Sequence, residues 1–339
     1  MRILITGGLG FIGINTALKF AENNEVHVLD NFTRKGNSEN LKIINNSNIT
    51  VHIKDIRNQN DIELVWNEIK PDVVIHLAGQ VAVTTSVSNP REDFEINILG
   101  TFNLLECLRK YSPETIFLFS STNKVYGEYD TQIVETEKKY VYKDILGINE
   151  NVNLNFHSPY GCSKGSADQY VRDYNRIYGL KTVVLRQSCI YGPNQFGIED
   201  QGWVSWFTIA SNFDKKFYIY GDGKQVRDVL HITDLINLYN MIINNINKCV
   251  GKIYNIGGGS ENSLSLLELI EFLEKYLDKK LNFEFSDWRH GDQKIYISDI
   301  TKIKEDIGWT PKINTKEGLH NLCSWVSDNK NLFSSLKLI

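Results

Sequence analysis

The sequence predicts an α/β protein: a doubly wound parallel sheet with a smaller α/β companion region. Three observations lead there. A short apolar run, Ile3–Ile5, is followed by Gly7, Gly10 and Gly13 and then by a helical pattern through Phe11, Ile12, Ala17, Leu18 and Phe20. Apolar runs recur at Val26–Leu29, Ile49–Ile53, Val73–Leu77, Ile116–Phe119, Val183–Leu185 and Ile253–Ile256 with helical patterns between them, the alternation of a sheet buried on both faces. The chain has 339 residues, 42% of them hydrophobic, which suits one large domain and a smaller one.

The opening strand, glycines and helix arrive in the order of a Rossmann-type dinucleotide loop. Gly7 permits the tight turn, Gly10 lets the backbone approach a pyrophosphate, and Gly13 lets the helix pack closely on its strand while its first amides face the anion. The next strand ends at Asp30, where a carboxylate accepts hydrogen bonds from ribose hydroxyls and repels a 2′-phosphate, favouring NAD. Arg34 nearby keeps NADP open, because a guanidinium can hold that phosphate. Asp55, after the third strand, would sit over the adenine edge, or cap the following helix, or both.

This reading gives residues 1–186 to an NAD-binding domain, with a return segment near 228–258. Residues 187–339 form mainly a substrate-binding region interleaved with it. Turn chemistry in GDGKQVRDVLH marks a binding loop, and Ser265 with Glu268 forms a capping box that opens an amphipathic helix. The stretches Phe94–Tyr111 and Tyr160–Tyr178 are apolar on more than one face, which is core and, as a second reading, a surface for a homo-oligomer.

Composition narrows the functional classes. A net charge of −4 gives no basic field for nucleic acid or an anionic membrane. No apolar run approaches a membrane span, and a strand starting at Arg2 leaves no room for a signal peptide, so the cytoplasm is the expected compartment. Cys107, Cys162, Cys189, Cys249 and Cys323 are scattered without CxxC spacing. They read as reduced thiols, and no metal site is expected.

The chemistry centres on Tyr160 and Lys164, four apart at the start of a helix and therefore on one face. A neighbouring ammonium and a nicotinamide ring would both lower the phenol pKa, making Tyr160 a usable base for a sugar hydroxyl. Thr122, in FSSTNKVYG, ends the strand before it.

Together TGGLGFIG, Asp30-Asn31, Asp55-Ile56, HLAGQ at 76–80, SSTNKVYG and YGCSK resemble the extended short-chain dehydrogenase/reductase family of nucleotide-sugar enzymes, over nearly the whole chain. The resemblance implies Thr122, Tyr160 and Lys164 as the catalytic group and a tightly held, recycled NAD. It also implies a cofactor site of Gly7, Gly10, Phe11, Ile12, Gly13, Asp30, Asn31, Arg34, Asp55, Ile56, Leu77, Ala78, Gln80, Asn97, Ser120, Tyr160, Lys164 and Gln187. AGQVAVTTSVSNP, NFHSPYGCSKGSADQY, DQGWVSWF and NSLSLLEL are most similar to the members that invert carbon 2 of a CDP-linked hexose.

Residue chemistry supports a redox epimerase over a dehydratase. Dehydration needs an extra acid and base after the threonine, and the positions following Thr122 hold Asn123 and Lys124. Carbon 2 rests on the resemblance, and a 4-epimerase of a UDP-, GDP- or CDP-hexose uses the same triad; an NAD-binding regulatory protein is the non-enzyme alternative. Thr122, Asn123 and Lys124 would contact the sugar, with a solvated loop lysine as the alternative for Lys124. Arg227 and Arg289 match the family's diphosphate-binding arginines, assisted by Lys224; their alternative is ion pairing with Asp228 and Asp292. Gln201, Gly202, Trp203 and Trp206 would line the pocket, although aromatics at spacing three are also core. His231 reads as structural.

Overall fold

The computed structural model describes residues 1–34, 36–44, 48–289 and 292–335. Its centre is a seven-stranded sheet ordered 253–256, 182–187, 116–122, 73–76, 2–6, 25–30, 49–53, parallel throughout. The chain starts in the middle with Arg2–Thr6, runs outward to Ile49–Ile53, then returns to the other side at Val73–His76. That reversal creates a switch point between Arg2–Thr6 and Val73–His76, and a crevice opens beyond the carboxyl ends of the strands there.

The apolar strands do not alternate because both faces are covered. Ile3 and Ile5 point to a core that includes Ile14, Ala17, Leu235 and Leu238, whereas Leu4 points to the opposite core with Trp66, Leu104, Leu108 and Val171. All of these are buried, and each aliphatic side chain so removed from water contributes about 1.5–3 kcal/mol. A third core, with Ile209, Ile219, Leu269, Leu273 and Leu322, holds the smaller region together. There the strand Val226–His231 pairs with Cys189–Tyr191, Ser263–Ser265 and Ile295–Tyr296. The two regions interleave, since Ile232–Asn244 and Ile253–Ile256 return to the large sheet and its core.

The expected capping box is present: Ser265 Oγ accepts from Glu268 N at 3.1 Å and Glu268 accepts from Ser265 N at 2.9 Å. The helix expected over Phe94–Tyr111 is not uniform. It begins at Pro90, passes through a π-turn at Glu95–Leu99 and continues as an α-helix over Gly100–Tyr111. Such wide turns often mark functional sites, and this one carries Asn97. Asp55 does not cap the following helix; Asn58 does, accepting from the Asn60 and Asp61 amides, while the Asp55 carboxylate is taken by Arg57 and Asn31. All five cysteines are free. No helix among the described residues is long and apolar enough to cross a membrane.

Candidate active site

A cavity of about 550 Å³ follows the carboxyl ends of the central strands and continues into the smaller region. Gly7, Gly10, Phe11, Ile12 and Gly13 line one end. Gly7 has φ +67°, and a Cβ there would lie 2.7 Å from Ala78 N; a Cβ on Gly13 would lie 2.3 Å from Gly7 O. Only glycine satisfies the turn and the close packing. Gly10 is open by comparison, its nearest neighbour to a built Cβ being Gly7 O at 3.2 Å. The first amides of the helix Phe11–Phe20 are therefore reachable by an anion.

Asp30 also lines the cavity. Its carboxylate accepts from Leu9 N (3.0 Å), Phe32 N (2.9 Å) and Asn37 Nδ2 (2.9 Å). Burial raises its pKa, opposed by those hydrogen bonds and by Arg34. Two carboxylate oxygens offer about four acceptor sites, so a further donor can be accommodated. Asn31 donates to Asp55 at 3.1 Å. Burial would raise the Asp55 pKa, but the Arg57 hydrogen bonds outweigh it and hold the group at about 2. Arg34 reaches across the cavity to Gln201. Ile56, Leu77, Ala78, Ser120 and Gln187 complete this half of the wall, with Gln187 donating to the Tyr239 hydroxyl at 2.9 Å.

Two expected cofactor residues do not line the cavity. Gln80 Nε2 is held by Ala82 O and Asp93 Oδ1, both at 2.8 Å. Asn97 Nδ2 bonds Gln80 O, Asp93 Oδ1 and Ser163 Oγ within 3.1 Å. Both amides are consumed by the scaffold behind the wall.

Thr122, Tyr160 and Lys164 converge on the cavity. Thr122 ends the strand Ile116–Thr122 and caps the short turn Asn123–Tyr126 by accepting from Lys124 N. Ser158 caps the helix Pro159–Tyr178, which places Tyr160 and Lys164 in its first two turns. Thr122 lies beside the Tyr160 hydroxyl and lowers its pKa. Burial pushes the phenol up to about 12, and the cation acting on it is Arg34, not Lys164. The expectation that Lys164 lowers it is thus not met within the chain: the ammonium turns instead to Ser120 O at 2.5 Å and lies 4.3 Å from the Phe119 ring centroid. Burial pushes Lys164 down to about 8.

In the substrate half the charges pair with one another. Arg227 donates to Asp292 at 2.7 Å and Lys124 lies 3.9 Å from the same carboxylate. Asp228 is not Arg227's partner, being held by Ser188 and Gly259 N. Arg289 faces Asp200 at 3.2 Å and sits 3.9 Å over the Tyr220 ring. Asn123, Lys124, Gln201, Arg227 and Arg289 all line the cavity. Lys124 is not a solvated loop lysine, since its side chain is only 22% exposed and burial lowers its pKa to about 8. Lys224 is the exception: its ammonium sits 2.6 Å from Glu135, away from the cavity, because its turn faces the hairpin 133–142. Gly202, Trp203 and Trp206 also line the wall, and Trp206 belongs to the third core as well. His231 is structural, accepting from Thr233 N at the start of its helix, with burial lowering its pKa to about 4.

Sequence reasoning missed Asp292, Gln195 and Gln225. The last two line the cavity, and among the described residues their buried carboxamide oxygens find no hydrogen-bond partner, nor does the Trp206 indole N–H. A lone glutamine in a loop has no spacing to betray it. Asp292 was visible only as an ion-pair candidate.

Residues 4–322 match the model of the GDP-mannose 4,6-dehydratase family. The chain is 47% identical to the CDP-paratose 2-epimerase of Salmonella typhi, over 96% of this chain and 99% of that one. Among solved structures it resembles UDP-glucose 4-epimerase of Thermotoga maritima with UDP-glucose, at 32% identity and a TM-score of 0.85 over 98% and 100% of the two chains. It also resembles dTDP-glucose 4,6-dehydratase of Bacillus anthracis in complex with NAD, at 29% identity and a TM-score of 0.83 over 99% of each.

Proposed function

The chain belongs to the extended short-chain dehydrogenase/reductase family, in the branch described by the GDP-mannose 4,6-dehydratase model, and from that premise we propose that it is an NAD-dependent nucleotide-sugar epimerase that inverts carbon 2 of a CDP-linked hexose. The observation that carries the reaction type is the wall beside Thr122. The two residues that follow it are Asn123 and Lys124, both facing the cavity, so the acid and base of a dehydratase have no place next to the threonine. The likeness to CDP-paratose 2-epimerase supplies the carbon and the nucleotide.

The first half of the cavity fits a dinucleotide: a cradle that a Cβ would fill at Gly7 and Gly13, free helix amides beyond Gly10, and Asp30 with room for a donor. Gly7, Gly10, Phe11, Ile12 and Gly13 would hold its diphosphate; Asp30, Asn31, Arg34, Asp55 and Ile56 its adenosine end; Leu77, Ala78, Ser120, Lys164 and Gln187 the remainder. NAD when bound supplies a reversible hydride acceptor.

The chain supplies the rest. Thr122 hydrogen-bonds the reacting oxygen, Tyr160 takes the hydroxyl proton and later returns it, and Lys164 would hold the cofactor ribose. Burial raises the Tyr160 phenol to about 12, and a positive nicotinamide ring would oppose that shift. Asn123, Lys124 and Gln201 contact the sugar. Arg227 and Arg289 hold the substrate diphosphate, which requires Asp292 and Asp200 to share them; planar guanidinium groups suit that bidentate task. We assign the cofactor to residues 1–186 with the return segment 228–258, and the nucleotide sugar mainly to 187–339. Exposed Phe94, Leu99, Phe102, Tyr170, Ile177 and Tyr178 on the two long helical stretches support a homo-oligomer built there, and the free thiols support a cytoplasmic enzyme.

The test is incubation with CDP-, UDP- and GDP-hexoses and assignment of product stereochemistry by NMR. Inversion at carbon 2 of a CDP-hexose is expected. Inversion at carbon 4 only would replace this reading with the 4-epimerase one. Solvent deuterium at the inverted carbon would contradict direct hydride return.

A further inference from the structure

We propose that Asp93 is a positioning residue of this centre: its buried carboxylate ties Gln80, Asn97 and Ser163 into one unit behind Tyr160 and Lys164 and supplies the unpaired negative charge that, with Asp168, favours the Lys164 ammonium. Asp93 is 1% exposed, yet it forms no salt bridge among the described residues. Its Oδ1 accepts from Gln80 Nε2 at 2.8 Å and from Asn97 Nδ2 at 3.1 Å. Asn97 Oδ1 in turn accepts from Gln80 N at 2.9 Å, and Asn97 Nδ2 reaches Ser163 Oγ, which contacts the Tyr160 carbonyl at 3.2 Å. The unit therefore joins the loop after Val73–His76, the π-turn and the first turn of the catalytic helix.

It meets Lys164 across Gly79. A Cβ built on Gly79 would lie 3.0 Å from Asn97 Oδ1 and 3.8 Å from Lys164 Nζ, so little but backbone separates the ammonium from the network. Its acceptor in the chain is a neutral carbonyl, Ser120 O, which does not compensate the charge.

Among the charged and titratable groups nearby, two carboxylates act on Lys164, Asp168 and Asp93, and Asp93 is the one without an ion pair among the described residues. Asp168, on the same helix as Lys164, raises its pKa while also serving a buried ion pair with Arg186. Arg91 pairs with Glu95, and Glu92 takes a hydrogen bond from Asn89. His76 is buried between Thr6 and Thr101, its pKa driven down by burial. Arg34 faces Asp30 and Tyr160. Burial raises the Asp93 pKa, while Ser163, Gln80 and the Lys164 charge lower it. Against the burial that lowers it, the Lys164 pKa is raised by Asp168 and by Asp93, and Asp93 also raises that of Tyr160.

The sign of the effect is thus fixed. Asp93→Asn is isosteric and can still accept from Gln80 and Asn97, but it removes the charge, so both Lys164 and Tyr160 should titrate lower. The first readout needs neither cofactor nor substrate: the ¹³Cε resonance of Lys164, assigned by its loss in Lys164→Arg, is followed against pH. Wild type should titrate near 8, and Asp93→Asn at least about half a unit lower. The second readout rests on the proposed epimerase reading: both limbs of the kcat/KM profile should move to lower pH with NAD affinity at neutral pH nearly kept. An unchanged Lys164 midpoint in a folded variant overturns the proposal and leaves a structural aspartate. Absence of wild-type turnover on every nucleotide sugar counts against the epimerase reading alone, because the resonance still decides the role of Asp93. Should Asp93→Asn not fold, Asp93→Ser, with space for a water, is read in the same way.

Discussion

The two halves of the cavity handle charge in opposite ways. In the cofactor half, the carboxylates are fixed by backbone amides and near neighbours: Asp30 is held by Phe32 N two residues on and by Leu9 N of the adjoining glycine loop, and Asp55 by Arg57 two residues on. In the substrate half, Lys124 and Arg227 share the single carboxylate of Asp292, each from a separate element, which leaves one net positive charge, beside atoms of Gln195, Gln225 and Trp206 that have no partner among the described residues. One half is pre-organised for a ligand that stays; the other must exchange internal pairs for a ligand that leaves. The cost of opening those pairs is recovered only by a substrate offering matching groups, and this is a source of selectivity.

Tyr160→Phe should have the largest effect. Removing the proton acceptor at the junction of the halves is expected to reduce turnover on the order of 10³-fold while NAD binding persists; retained turnover would move the base elsewhere. Arg227→Met should raise substrate KM by roughly 10–100-fold with a smaller change in kcat, as expected for a charged hydrogen bond to a diphosphate. Equal loss of NAD affinity in that variant would erase the distinction between the halves.

Asp55→Asn tests the rigid half. The folded carboxyl stands at about 2, against an ordinary 3.8, so its contribution is present above the ordinary value and lost as pH falls towards 2. Discounted for its partial exposure, it is worth about 1 kcal/mol near neutrality, and denaturant unfolding of variant and wild type should converge at acid pH. Lys224→Ala should do least. Its ammonium bonds Glu135 outside the cavity, so KM should change less than about twofold; a larger rise would return Lys224 to the substrate site.

Much of the fold was legible because its signals are local. The apolar runs, glycine loop and capping box arise from neighbouring residues, and each appears where the sequence places it. The likeness to a known family then marked Thr122, Tyr160 and Lys164, which converge on one wall. What local spacing could not decide was where long-range partners lie. Gln80 and Asn97 turn inward because Asp93 and Ser163 meet them there. Arg227 chooses Asp292 over its neighbour Asp228 because strand residues adjacent in sequence point to opposite faces. The electrostatics of Tyr160 were misjudged for the same reason: spacing puts Lys164 on the right helix face, but burial and the approach of Arg34 and Asp93 from other elements set the pKa. Sequence determined which chemistry this chain carries, because strands, loops and helix starts are short-range structures. Tertiary structure alone decided which groups face the ligand and which hold the wall, because desolvation and ion pairing depend on neighbours brought from far along the chain.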